Sequence, residues 1–240
     1  MPEQLPLPFT FNAGMEFRQF HPGVNAEPVR HLQTAAAGSG ERLVFLWGGP
    51  GSGKTHLLNA CCHEASQQRR TAAYLPLSLL EPHGPESLEG MEGMDLVCLD
   101  DVQAVAGDSA WEAALFVLFN RLREQGRSLI AAAEKPPGQL PIHLADLRTR
   151  FGWGLILRLQ PLPDADKLAA LGLYARSLGL ELSPAVGRFL LARYPRNLAA
   201  LRRLLDHLDQ ATLAAKRRLT VPFVKTVLER ADPASFGKDR

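Results

Sequence analysis

Cysteine is scarce in this chain of 240 residues, which holds only Cys61, Cys62 and Cys98. The three form neither a metal-ligand spacing nor an even disulfide set, and adjacent Cys61 and Cys62 are expected to pack in a helix. Long apolar runs are missing as well. No stretch approaches the roughly 18 apolar residues of a membrane span, and the first residues lack the basic and apolar regions of a signal peptide. The expectation is a cytoplasmic protein in a reducing compartment. There is no internal repeat and no low-complexity tract, and the 7 histidines show no ligand spacing. With 46% hydrophobic and 22% charged residues, disordered and collagen-like classes are excluded. The length suffices for one large core or two small ones.

Net charge is only +2, but its division is uneven. Residues 1–166 carry 13 Lys and Arg against 19 Asp and Glu; residues 167–240 carry 14 against 6. The C-terminal part is therefore a different, basic module. Such a face serves nucleic acid, an acidic partner, or Arg side chains that cover apolar surface while staying solvated.

The most informative stretch is the apolar run Leu43 to Trp47, followed by Gly48-Gly49-Pro50-Gly51-Ser52-Gly53-Lys54-Thr55 and then His56-Leu57-Leu58. The run is too short for a helix and reads as a strand buried on both faces. The glycines let successive main-chain N–H groups face a phosphate. The spacing is that of a P-loop in the strand–loop–helix context it requires. Lys54 is expected to reach the β- and γ-phosphates and Thr55 to ligate Mg²⁺, while the helix beginning near His56 adds donors and a favourable dipole.

A P-loop calls for a second strand that carries acid at its C-terminal end. Asp95 to Asp101 (DLVCLDD) supplies it, with Asp100 placed to hold Mg²⁺ through water and Asp101 to orient an attacking water. Residues 109–123 have helical apolar spacing. Residues 128–134 read as a further strand that ends beside the site and is stopped by Lys135-Pro136-Pro137-Gly138. Alternating strands and helices predict an α/β fold with a parallel, helix-flanked sheet.

Beyond it the signals are helical. Asp164, Ser183 with Pro184, Asn197 and Thr220 are candidate caps for four short helices, which would form a small bundle against the sheet domain. Residues 81–85 read as a loop. At the other end, Gln4-Leu5-Pro6-Leu7-Pro8-Phe9 is apolar yet unable to form a helix, since its prolines fix φ and remove donors. It reads as an extended ligand for a partner, or else as an arm laid on the protein's own sheet.

With these motifs in place, the chain resembles the AAA+ domain of the DnaA family of bacterial replication initiators, and within it the Hda-type DnaA-homologous regulators. The resemblance rests on GGPGSGKTHLL, on Leu147-Arg148-Thr149-Arg150-Phe151-Gly152-Trp153-Gly154 and on Tyr194-Pro195-Arg196-Asn197-Leu198. It extends to Phe17, Phe20, Gly23 and Asn25 in the lead-in segment, which the family places beside the adenine. It implies an AAA+ P-loop NTPase fold with three parts: an extended segment over 1–14, a nucleotide-binding α/β domain over 15–162 and a helical lid domain over 163–240. The bound cofactor would be ADP or ATP with Mg²⁺, held by Gly48 to His56 and by Arg196, the lid arginine that reads the phosphates. Arg150 matches the family's arginine finger, which reaches into the nucleotide site of a neighbouring subunit.

Two departures stand out. Glu134 occupies a position where DnaA proteins commonly carry a shorter Asp, which implies weak ATPase activity of the chain's own. After the last helical signal comes a short polar tail instead of a helix-turn-helix domain, so no sequence-specific DNA reader is expected. The resemblance thus implies a negative regulator of replication initiation that activates ATP hydrolysis by DnaA and leaves ADP-DnaA. Its partners would be DnaA, the sliding clamp of DNA polymerase III through Gln4, Leu5, Leu7 and Phe9, DNA mainly through the loaded clamp, and a second copy through the AAA+ interface. The alternatives are a DNA-remodelling or helicase-loading ATPase and, with less use for Arg150 and Arg196, a small-molecule kinase.

Overall fold

In a computed structural model the described residues are 14–194, 197–215 and 218–230. Their contacts define two compact units. One holds the sheet and ends at Gln160; the other holds Pro161 onward together with Arg18–Gly23 and Pro50–Ser52.

The first unit begins its regular structure with α1 (Ala26–Ala36), β1 (Leu43–Trp47), α2 (Lys54–Gln67) and β2 (Ala72–Pro76). The short α3 (Leu77–Leu80) follows at once, then β3 (Leu96–Asp100), α4 (Ser109–Glu124), β4 (Ser128–Ala133), α5 (Ala145–Phe151) and β5 (Leu155–Arg158). The five strands form one parallel sheet in the order β2-β3-β4-β1-β5. The central β3 and β4 are buried at every position, which is why they read as unbroken apolar runs. Edge strands β2 and β5 escape such a reading. β2 contains two alanines and a proline, and β5 leaves Ile156 44% exposed. The stretch read as a loop at 81–85 instead holds two tight 3₁₀ turns, Glu81–His83 and Pro85–Leu88.

Strand alternation divides the core between the two faces of the sheet. Phe45, Val97, Leu99, Leu129, Ala131 and Ala133 meet Trp111, Leu115, Phe119 and Leu122 of α4 and Leu147 and Phe151 of α5. Phe151 is the hinge of this packing, with its ring 5.4 Å from Phe45 and 6.4 Å, edge on, from Phe119. The intervening Leu46, Leu96, Cys98, Ile130 and Ala132 are buried on the other face, as are Leu57, Leu58, Cys61 and Cys62 of α2. Cys98 lies beside Cys62, and burial pushes the Cys61 and Cys98 thiols well above their ordinary range, so they behave as small apolar side chains. Each fully buried leucine contributes about 2 kcal/mol.

Two local devices fix α4 and β5. Asp108 caps α4 by accepting the Ala110 and Trp111 amides, and Glu112 accepts the amides of Gly107, His143 and Leu144. Gly154 opens β5 so close to the Leu43 carbonyl that any Cβ there would collide with main chain.

The second unit consists of α6 (Asp164–Ser177), α7 (Pro184–Arg193), α8 (Leu198–Ala215) and α9 (Val221–Arg230). Leu201, Leu204, Leu205 and Leu208 recur at helical spacing on α8 and bury against Leu171, Val186, Leu190 and Val224. Ser183, Asn197 and Thr220 accept amides at the starts of α7, α8 and α9 as their types suggested. Asp164 does not: it is the first helical residue, Pro163 stands before it, and no side chain caps α6. Its carboxylate instead sits in the first turn, where the helix dipole favours it. Among the described residues no helix is long and apolar enough to cross a membrane.

Candidate nucleotide site

The P-loop leaves the sheet from an interior strand. Gly48 donates its amide to the Ala133 carbonyl at 3.2 Å, so the loop starts at the C-terminal ends of β1 and β4, where open α/β sheets hold ligands. The chain then enters α2 through Gly53 at φ +98°, a conformation that L side chains rarely adopt. No side chain caps the start of α2, which leaves its first amides facing outward as a ready anion site.

Lys54 is buried, and its ammonium donates to the carbonyls of Gly48 at 2.8 Å and Gly49 at 3.2 Å. The loop thereby holds its own cation against its main-chain carbonyls. Burial lowers the Lys54 pKa, and the opposing pull of Asp100, Asp101 and Glu134 favours its charged form.

Asp100 ends β3, 2% exposed, and its surroundings act on its carboxyl in opposite directions, burial prevailing. Burial raises its pKa. The Thr55 hydroxyl, the Tyr74 hydroxyl at 2.9 Å and the Asp101 amide at 3.0 Å all donate to it and act in the opposite direction. Burial, together with the Asp100 charge, pushes the Tyr74 phenol far up, so it remains a donor at any physiological pH. Asn59 secures the same corner from α2 by donating to the Thr55 carbonyl.

Asp101 adopts a left-handed conformation, φ +57°, tolerable for Asp. Ser78 of α3 donates to one carboxylate oxygen at 3.0 Å and Gln103 to the other at 2.9 Å. The Gln103 oxygen in turn accepts the Glu134 amide at 3.2 Å. The ends of β3 and β4 are thus joined through one side chain, with the exposed Glu134 carboxylate beyond it.

Of the sequence-predicted residues, Gly48, Gly49, Gly53, Lys54, Thr55, Asp100 and Asp101 come together at this end of the sheet. The His56 ring is occupied elsewhere: its Nε2 lies 2.9 Å from the Glu16 carbonyl, tying the lead-in segment to α2. Ser52 has a buried hydroxyl with no partner among the described residues. Asn25 anchors the lead-in to the end of β5 by pairing both amide atoms with the Gln160 main chain. Arg196, and Gln4, Leu5, Leu7 and Phe9, lie outside the described residues.

Arg150 stands apart from this cluster, in the last turn of α5. Its guanidinium rests 4.0 Å from the Trp153 ring centroid and 5.6 Å from that of Phe116, and Arg123 rests on the same indole at 4.6 Å. No carboxylate pairs with Arg150 among the described residues. The sequence marked Arg150 but gave no sign of Arg123, Tyr74, Ser78 or Gln103. Tyr74 and Ser78 follow from the unrecognised β2 and α3. Gln103 is an isolated polar residue whose only signal is its nearness to Asp101.

Comparison with known proteins agrees with the geometry. Residues 86–158 match the model of the bacterial DnaA ATPase domain, and residues 164–228 match that of the Hda lid domain. Among solved structures, domain III of the Thermotoga maritima replication initiation protein DnaA superposes with a TM-score of 0.79 at 23% identity, over 91% of this chain and 97% of that one. AMPPCP-bound DnaA from Aquifex aeolicus gives 0.67 at 24% identity, over 82% and 66%. The Thermotoga maritima RuvB Holliday junction branch migration motor gives 0.63 at 18% identity, over 85% and 68%. At these identities the structural matches establish the fold, while the two family models match the second half of the ATPase segment and most of the lid, in the expected order. The chain is an Hda/DnaA-like AAA+ protein, with a parallel helix-flanked sheet and an Hda-type helical lid.

Proposed function

We propose that this protein is a DnaA-related regulator of replication initiation, which binds an adenine nucleotide and stimulates ATP hydrolysis by DnaA. The observation that carries the reading is the state of Arg150. It is a cation held on aromatic faces and, among the described residues, without a carboxylate partner, as suits an arginine acting on another protein's phosphates.

Its own site suits a nucleotide with Mg²⁺. Lys54 and the α2 amides would receive the phosphates, and Thr55 and Asp100 would hold the ion, the latter through water. Among the described residues no group of three or more His, Cys, Asp or Glu side chains forms a metal cage. Mg²⁺ customarily takes one or two protein oxygens and completes its shell with phosphate and water, so the donor set fits. Bound there, the ion would neutralise phosphate charge. Glu134, with its main chain tied through Gln103, replaces the shorter Asp of DnaA proteins, in keeping with slow hydrolysis at this site.

The remaining roles follow from the resemblance. Arg196 of the lid reads the phosphates of the bound ADP or ATP. Gln4, Leu5, Leu7 and Phe9 dock on the sliding clamp of DNA polymerase III, which brings the protein to DNA. Arg150 then enters the nucleotide site of ATP-DnaA and leaves ADP-DnaA. The test is a hydrolysis assay with DnaA, ATP and clamp loaded on DNA. Hydrolysis should rise when this protein is added and stay basal when either it or the clamp is omitted. A rate unaffected by the protein would refute the reading.

A further inference from the structure

Trp153 is 50% exposed in the turn after α5 and takes no part in the core of its unit. Two guanidiniums share its ring, Arg150 at 4.0 Å and Arg123 at 4.6 Å from the centroid. Neither makes a salt bridge among the described residues. A salt bridge would also hold Arg150 in place, but it would occupy the edge donors and neutralise the charge. A ring face does neither, because the attraction runs through the quadrupole and the in-plane N–H groups stay free. The two like charges on one ring repel, and a polyanion that meets both relieves the repulsion.

We propose that Trp153 is a positioning residue for Arg150, with its indole presenting the guanidinium edge on to the phosphates of a nucleotide bound by a neighbouring protein while Arg123 supplies a second cation beside it. The inference rests on the reading in which Arg150 acts in trans. A rotamer-rich arginine already held before docking loses less entropy on forming its phosphate contacts. The gain should therefore appear in the rate at which docked complexes react more than in how tightly they form.

The experiment titrates full-length Trp153→Leu and Trp153→Phe proteins into the DnaA hydrolysis assay with loaded clamp. Trp153→Leu should lower the maximal stimulated rate roughly five- to thirtyfold, the range for a cation–π contact that desolvates on docking. The midpoint concentration should stay within about twofold of wild type. Trp153→Phe should recover most of the rate, because it keeps a π face. Equal behaviour of the Leu and Phe proteins, or a shift confined to the midpoint, would overturn the positioning role. Both proteins are expected to melt and bind ADP as wild type does; if Trp153→Leu melts lower, Trp153→Gln, suited to an exposed site, replaces it. Arg150→Ala in the same assay separates the two levels of inference. Wild-type stimulation by Arg150→Ala removes the underlying reading, whereas its loss alongside full activity of Trp153→Leu removes only the role of the indole.

Discussion

Tyr74 on β2 donates its hydroxyl to Oδ2 of Asp100 at the end of β3, 2.9 Å away. The contact pulls the Asp100 pKa down against the larger rise that burial causes. Tyr74→Phe removes one of the donors that pull the Asp100 pKa down, so the pKa, already raised by burial, rises further. Mg²⁺-dependent nucleotide binding needs the ionised form. Its loss on acidification should therefore begin at a higher pH in Tyr74→Phe than in wild type. Calorimetric titration of Mg-ADP across pH would show it, and superimposable pH profiles would contradict it.

Lys54→Ala should abolish adenine-nucleotide binding, because it removes the cation held among the Gly48 and Gly49 carbonyls. A ligand that binds only the folded state raises the melting temperature, so the shift produced by ADP should disappear in the variant. Unchanged ADP affinity would refute the assigned site.

Arg150→Ala should fold, bind ADP and bind the clamp as wild type does, while stimulation of DnaA hydrolysis falls by a factor on the order of 10³. Arg196→Ala should instead weaken nucleotide retention first. Equal nucleotide affinities in wild type and Arg196→Ala would remove the lid arginine from the site.

Changing Gln4, Leu5 and Leu7 together to Ala should remove clamp binding and clamp-dependent stimulation, with thermal stability and ADP binding near wild type. A stiff extended segment with two apolar anchors loses little entropy on docking. Co-elution of the triple variant with the clamp would show that the segment serves another purpose.

Glu112 offers a test of stability alone. Burial works against its charge, yet the amides of Leu144, Gly107 and His143 hold its carboxyl below the usual carboxylate range. A depressed carboxylate pKa contributes stability above the unfolded value of about 4.3, and that stability fades as pH falls through the folded value. Glu112→Gln should thus cost about 1–3 kcal/mol at neutral pH. The difference from wild type should shrink in denaturant melts at about pH 3–4. A pH-independent difference would assign the effect to packing.

What could be read before the fold was known is what is contiguous in the chain. A P-loop is legible because Gly53, Lys54 and Thr55 must be neighbours, and β1, β3 and β4 are legible because interior strands carry runs of four or more apolar residues. Helix caps at Ser183, Asn197 and Thr220 are equally local, since a cap acts on amides two or three residues ahead. Tyr74 and Asp100 lie 26 residues apart, and they meet because parallel pairing sets Tyr74 beside Cys98 and Pro76 beside Asp100. Gln103 reaches Glu134 because β3 and β4 end side by side. Arg123 closes on Trp153 because α4 packs against α5 through Phe119 and Phe151. The sequence by itself determined the chemistry of the phosphate loop, whose donors are consecutive. Only the tertiary structure decided which distant side chains donate to Asp100 and which rings hold Arg150, because strand register and helix packing set those distances and no local pattern encodes them.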